Sequence, residues 1–280
     1  MSLEITINGS ALVVDEADPH LSLLSFLREL GLTGAKEGCG EGECGACAVV
    51  MIRPSLDPSS GRQSRYVAVN SCLIPLPSMH GHEIITVEGL ASEAGLHPVQ
   101  EVMIQEGASQ CGYCTPGFVM SLFAARYEDP EGTLDPGALA GNLCRCTGYR
   151  SILDAARALP LPAADDPFLR RLEEPAPEPG ALEYEAEGAR FLRPTRLAEL
   201  LEQLAVHPEA TLLAGGSDRM VEITQHAARF STLISVEGVD ELRIFEFSEE
   251  GIEIGAALSL SEVEAKLASR LPILDELFRL

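Results

Sequence analysis

Gly38-Cys39-Gly40-Glu41-Gly42-Glu43-Cys44-Gly45-Ala46-Cys47 is the stretch around which the 280-residue chain is organised. Its three cysteines stand at C-x4-C-x2-C, and Cys72 follows as a fourth. This is the spacing of a four-thiolate [2Fe–2S] site. Four thiolates enclose two irons only where the backbone wraps closely and turns N–H groups towards the sulfurs. Gly38, Gly40, Gly42 and Gly45 suit that, because glycine takes positive φ and brings the backbone near a ligand without a Cβ clash. The competing reading is a zinc site. Structural zinc takes paired short knuckles or Cys/His mixtures, and no His lies within the loop.

Outward from the loop, residues 1–14 alternate apolar and polar on either side of Asn8-Gly9, a hairpin turn signal. Residues 21–30 carry apolar side chains at helical spacing and stop at Gly31. Strands are expected at 48–52, 66–69 (leading to Cys72) and 83–87, with a turn-rich excursion at 54–61. Together these predict a small β-grasp sheet, with a domain over 1–88.

The next stretch reads as a helical domain over 89–159. Pro98 opens a helix to about Glu106, which Gly107 ends. Thr115-Pro116 opens a second to about Tyr127, a turn spans 129–132, Asp135-Pro136 opens a shorter one to Asn142, and a fourth runs over 149–159. Cys111, Cys114, Cys144 and Cys146 fall in the loops between them. Taken alone, the C-x2-C pair suits zinc. The C-x-C pair is less usual there, and after the first cysteine loop a second cluster is the better reading.

Six prolines and many acidic residues over 160–190 predict a connector. Residues 191–280 read as α/β. Helices are expected at 195–206, 259–268 and 272–280. Strands are expected at 211–214, 232–236, 244–247 and 252–254. The first of these strands runs into Gly215-Gly216-Ser217-Asp218 and then a helical segment, an arrangement that offers backbone N–H groups to a phosphate. Alone, a Gly-Gly turn is more often structural. His80-Gly81-His82 reads as an exposed turn in preference to a chelate.

The formal net charge of −23 excludes phosphate-backbone recognition and anionic membranes as partners. Lysine is confined to Lys36 and Lys266. Residues 1–7 lack the basic and apolar regions of a signal peptide, and eight cysteines without an export signal point to metal ligation in a reducing compartment. The expectation is a cytoplasmic protein with no membrane span.

Three segments carry a resemblance: Lys36 through Cys47, Gly107-Ala-Ser-Gln110-Cys111-Gly-Tyr-Cys114-Thr-Pro-Gly117, and Gly141-Asn-Leu-Cys144-Arg-Cys146-Thr-Gly-Tyr149. They closely resemble the iron–sulfur region of the molybdenum hydroxylases. Within that superfamily the chain is similar to the small subunit of the bacterial xanthine dehydrogenases. The resemblance implies an α+β multidomain chain: a ferredoxin-type β-grasp domain, a four-helix [2Fe–2S] domain and a partial FAD-binding domain. It implies that Cys39, Cys44, Cys47 and Cys72 ligate the cluster nearer the flavin, and Cys111, Cys114, Cys144 and Cys146 the one nearer molybdenum. Gln110 matches the glutamine that bonds the pterin of a molybdenum cofactor held in a large partner subunit. Leu213, Ala214, Gly215, Gly216, Ser217 and Asp218 match the first FAD-phosphate loop.

By the same resemblance, purines are oxidised in the partner of a hetero-oligomer. Electrons pass through both clusters to FAD and then NAD⁺, and no catalytic side chain is expected here. The family's flavin domain continues beyond position 280, so the FAD site is expected to be incomplete and flavin poorly retained. An aldehyde or N-heterocycle hydroxylase module is the alternative; a zinc-stabilised, non-redox interaction protein is another.

Overall fold

The computed structural model of the chain describes residues 2–56, 61–93, 95–128, 132, 134–267 and 270–274. Residues 129–131 of the expected turn at 129–132, residues 57–60 of the expected excursion at 54–61, and the end of the last expected helix, 275–280, lie outside the described residues. The chain divides into two compact units, Ser2–Glu178 with Gly216–Arg229, and Pro179–Gly215 with Phe230–Leu280. Among the described residues no helix is long and apolar enough to cross a membrane.

The first unit opens with the hairpin β1 (Leu3–Ile7) and β2 (Ser10–Val14). Asn8 and Gly9 both take positive φ in its turn, 51° and 75°, as a two-residue hairpin of this twist requires. Helix α1 (Leu23–Glu29) buries Leu23, Leu24, Phe26 and Leu27. It ends in a Schellman motif, with Leu32 N–H on Leu27 O at 2.9 Å and Gly31 N–H on Arg28 O at 3.0 Å.

Strands β3 (Ala48–Pro54), β4 (Ser64–Asn70) and β5 (Glu83–Ile85) complete a five-stranded sheet of order β2-β1-β5-β3-β4. β1 and β5 run parallel at its centre, the β-grasp arrangement. Strand β5 is shorter than the sequence predicts. The Asn8 carboxamide takes the Thr86 N–H at 2.8 Å, and Val87–Gly89 turn away as a 3-10 turn.

Helices α2 (Pro98–Gln105), α3 (Thr115–Glu128) and α4 (Arg150–Ala158) form the helical part. The segment expected to run from Asp135 to Asn142 is a single 3-10 turn, Pro136–Leu139. Gly137 and Gly141 give it little helical propensity. Sheet and helices do not form separate lobes. α3 is buried on every side, through Phe118, Val119, Met120, Leu122, Phe123 and Tyr127, and one apolar core joins these to Val50, Ile52 and Tyr66 of the sheet. A helix apolar all round must be buried all round.

The stretch 160–190 is more ordered than its composition implies. Helix α5 (Pro167–Leu172) is capped by Asp166, whose carboxylate accepts from Phe168 N–H at 2.7 Å. Leu172 is buried in the same core, with Phe168 packed against it. Arg171 meets Glu83 at 2.7 Å. The prolines stop regular helix but leave enough apolar side chains to dock. His80 and His82 also depart from an exposed turn. His80 Nδ1 accepts from Glu4 N–H at 2.9 Å and His82 is buried, because Thr6 N–H bonds His82 O and draws the segment onto β1.

His97 caps α2 through Nδ1, which accepts from Val99 N–H at 3.2 Å. Its Nε2 therefore donates to Tyr127 Oη at 2.9 Å, and Tyr127 donates to Asp166 at 2.7 Å. Burial holds His97 below its ordinary value of 6.5. The unfolded chain therefore takes up the proton first: the stability from neutral His97 is complete above pH 6.5 and lost as pH falls below it. We expect the melting temperature to fall more between about pH 7.5 and 5.5 in wild type than in His97→Asn, measured by calorimetry. Equal falls would remove His97 as the titrating group.

In the second unit, β6 (Leu182–Ala186), β7 (Ala189–Arg193), β8 (Thr211–Leu213) and β9 (Thr232–Ser235) form a sheet of order β6-β7-β9-β8. β6 and β7 thus begin inside the expected connector. Helix α6 (Leu197–Val206) sets Leu200 against Leu192 and Ile234. The hairpin β10 (Phe245–Phe247) and β11 (Ile252–Ile254) and helix α8 (Leu260–Leu267) follow.

Helix α7 (Arg219–His226) lies between β8 and β9 in sequence but belongs to the first unit. Met220 and Ile223 are buried, and the helix packs on the 3-10 turn Ser71–Leu73.

Candidate metal centres

All eight cysteines are free. The register of β3 with β4 pairs Ala48 with Asn70, so Cys47, just before one strand, comes beside Cys72, just after the other. Their sulfurs are 3.4 Å apart and both residues are buried. The bond from Cys72 holds the Cys47 thiol down to about 7, while Cys72 itself is pushed up. Cys39 and Cys44 are hydrogen-bonded to each other. The Glu41 and Glu43 amides donate to the Cys39 sulfur at 3.4 and 3.3 Å. These amides outweigh burial, which alone would raise the Cys39 thiol, and lower it. Asn70 ties the loop down by donating to Gly42 O at 2.6 Å. Gly38 has to be glycine, since a Cβ there would stand 2.6 Å from the Cys44 sulfur.

The second set gathers in the loops of the helical part. Cys111 hydrogen-bonds Cys146, and Cys114 hydrogen-bonds Cys144. Cys114 precedes α3, and its carbonyl accepts Phe118 N–H at 3.2 Å. The Cys144 sulfur lies 3.1 Å from the Thr147 hydroxyl and 3.4 Å from its N–H. Tyr149 reaches back so that its hydroxyl accepts Cys144 N–H at 3.0 Å. In doing so it takes φ of 67° as the N-cap of α4, a conformation disfavoured for a bulky residue. Cys111 and Cys146 are exposed, Cys144 is buried, and Gln110 beside Cys111 is exposed.

Among the described residues, no three Cys, His, Asp or Glu side chains converge as a single ion requires. The thiols instead fall into pairs, 39 with 44, 47 with 72, 111 with 146 and 114 with 144. Two thiolates for each of two irons is the demand of a [2Fe–2S] cluster. The residues present fit that group.

The two sets meet at a close junction. Leu143 N–H donates to Cys44 O at 3.0 Å, and Asn142 donates to Gly45 O at 3.2 Å. Tyr113 of the C-x2-C loop donates to Glu37 O. Composition and spacing gave no hint of Asn70, Asn142, Leu143 or Tyr113 in these roles.

The glycine loop after β8 runs through Leu213, buried, and Ala214 and Gly215, exposed, in the second unit. Gly216, buried, and Ser217 and Asp218, exposed, belong to the first. Gly215 and Gly216 take φ of 66° and 75°. Gly215 N–H donates to the Glu237 carboxylate at 3.0 Å, so this amide is held by a side chain of the same unit.

Two sets of four free thiols and a Gly-Gly turn after a strand are the make-up of an electron-transfer module of the iron–sulfur and flavin class. Comparison with known proteins places it further. Residues 5–77 match the 2Fe-2S iron-sulfur cluster binding domain, and residues 86–157 the [2Fe-2S] binding domain. Residues 184–280 match the FAD binding domain in molybdopterin dehydrogenase. Xanthine dehydrogenase of Drosophila subobscura is 36% identical over 317 residues, 96% of this chain and 23% of that protein. Aldehyde oxidase 2 of Cavia porcellus is 34% identical over 325 residues, 95% of this chain and 24% of that protein. The quinoline 2-oxidoreductase structure from Pseudomonas putida 86 is 35% identical, covering 56% of this chain and 91% of that one, with a TM-score of 0.49.

The chain belongs to the molybdenum hydroxylase family, of which it is the iron–sulfur and FAD-binding part. It spans about a quarter of the length of the curated relatives it matches. Both cysteine domains are of the iron–sulfur kind, which sets the zinc reading aside.

Proposed function

We propose that this chain carries electrons for a xanthine dehydrogenase-type enzyme. Cys39, Cys44, Cys47 and Cys72 would hold one [2Fe–2S] cluster, and Cys111, Cys114, Cys144 and Cys146 the other. Bound there, the clusters supply one-electron transfer. The chain's own part is placement and tuning: amides and hydroxyls directed at the sulfurs, burial of Cys47, Cys72 and Cys144, and a junction that keeps the two sets close. The sorting of eight free thiols into two sets of facing pairs is the observation that carries this reading.

Exposed Cys111, Cys146 and Gln110 would face a large molybdopterin-binding partner subunit, where hydroxypurine is oxidised, with Gln110 on the pterin of the molybdenum cofactor. Leu213, Ala214, Gly215, Gly216, Ser217 and Asp218 would take the FAD pyrophosphate, with NAD⁺ as final acceptor and the cytoplasm as the compartment. Aldehyde oxidase 2, at 34% identity, falls within the 31–36% of the xanthine dehydrogenases, which favours an aldehyde-oxidising assembly as the second reading.

Iron analysis is expected to give about four atoms per chain, in a red-brown protein that dithionite bleaches. A colourless protein with zinc in place of iron would overturn the proposal. Hydroxypurine and aldehyde turnover by the complex with its partner subunit separates the two substrate readings.

A further inference from the structure

Helix α7 does more than follow the glycine loop, because two of its side chains bond carbonyls of the first cysteine loop. Gln225 Nε2 donates to Cys39 O at 3.0 Å. The Thr224 hydroxyl stands 2.9 Å from Gly40 O and 2.8 Å from Met220 O, sharing its proton between them. In a planar trans peptide the C=O and N–H point in opposite directions. Anchoring Gly40 O on α7 therefore aims the next N–H, that of Glu41, away from the helix. On that other side lies the Cys39 sulfur, 3.4 Å from Glu41 N. Anchoring Cys39 O fixes the preceding peptide of the same turn. Gly40 takes φ of 69° there, and a Cβ on it would meet Gln225 Nε2 at 2.3 Å, so the turn is fitted to this helix.

We propose that Thr224 and Gln225 are positioning residues for the cluster held by Cys39: they hold the peptides from Cys39 to Glu41 so that the Glu41 N–H stays on the Cys39 sulfur. This rests on the reading of Cys39 as a cluster ligand. An N–H donated to a ligand sulfur stabilises the reduced, more negative cluster, so the bond raises the reduction potential. Neither side chain touches a sulfur, and neither belongs to a cysteine motif.

The test is the iron-loaded full chain carrying Thr224→Val or Gln225→Leu, with Thr224→Ser as the variant that keeps the hydroxyl. Redox titration followed by EPR reads the two clusters separately. Both disruptive variants are expected to keep wild-type iron. Weakening one hydrogen bond should lower the reduction equilibrium constant of one cluster about threefold, a fall of about 28 mV for a one-electron couple. The EPR signal of that cluster should move, the other cluster should stay unchanged, and T224S should match wild type. Wild-type iron with both potentials and both signals unmoved in T224V and Q225L would overturn the proposal. Should T224V lose iron, the exposed Gln225 variant alone decides. Failure of the cluster reading shows differently, as iron absent from the wild-type chain.

Discussion

Replacing Cys72 with serine is expected to halve the iron bound by the chain, from about four atoms to about two, and to leave the second cluster in place. Cys72 is 2% exposed, with its sulfur 3.4 Å from that of Cys47. A serine there offers a poorer ligand than thiolate and sets a hydroxyl in a buried site built for sulfur, at a cost of roughly 1–3 kcal/mol when left unsatisfied. The thiols of the helical part pair with one another, so their cluster and its half of the dithionite-bleached absorbance should survive. The melting temperature should nonetheless fall for the sheet and helices together, in one transition, because they share one core. Unchanged iron in C72S would strike Cys72 from the ligand set, and complete loss of iron would show that the two sites do not load independently.

What the sequence made legible, and what it hid, follows from the range of the interactions. The Asn8-Gly9 turn, the stop at Gly31 and the openings of α2 and α3 obey rules that act within a few residues. The two iron–sulfur domains are legible for a different reason: cluster chemistry restricts both the residue type and the spacing of their motifs. Long-range packing leaves no such mark. Nothing near Phe168 and Leu172 announces that the proline-rich stretch docks on the core. Nothing near Met220 announces that α7 joins the unit bearing the cysteines while its flanking strands β8 and β9 belong to the other. The supports of the metal centres are hidden in the same way. Any donor at the right distance satisfies a carbonyl, so Asn70, Asn142, Thr224 and Gln225 look like ordinary polar residues until the chain is folded.

Gly117→Ala tests the junction between the two centres, and the sign of its effect is decisive. Gly117 lies in the first turns of α3, where alanine would ordinarily stabilise a helix by roughly 0.5–1 kcal/mol. Here a Cβ would stand 2.1 Å from Gly45 O and 3.2 Å from Ala46 Cα. Both are backbone atoms, without a rotamer by which to yield. Either α3 or the cysteine loop must shift, and overpacking of this kind costs roughly 1–3 kcal/mol. For a unit of this size that corresponds to a fall in melting temperature of roughly 2–12 °C. The shift would also strain the bonds of Asn142 to Gly45 O and of Leu143 to Cys44 O, which hold the two cysteine sets together. Each set should still load, since each of the four pairs joins thiols of one set, so iron is expected to stay at the wild-type level. Electron exchange between the two clusters, followed by rapid-mixing EPR, should slow. A G117A chain that melts higher than wild type would mean that α3 and the cysteine loop stand far enough apart to admit a methyl group, and the close junction between the centres would have to be abandoned.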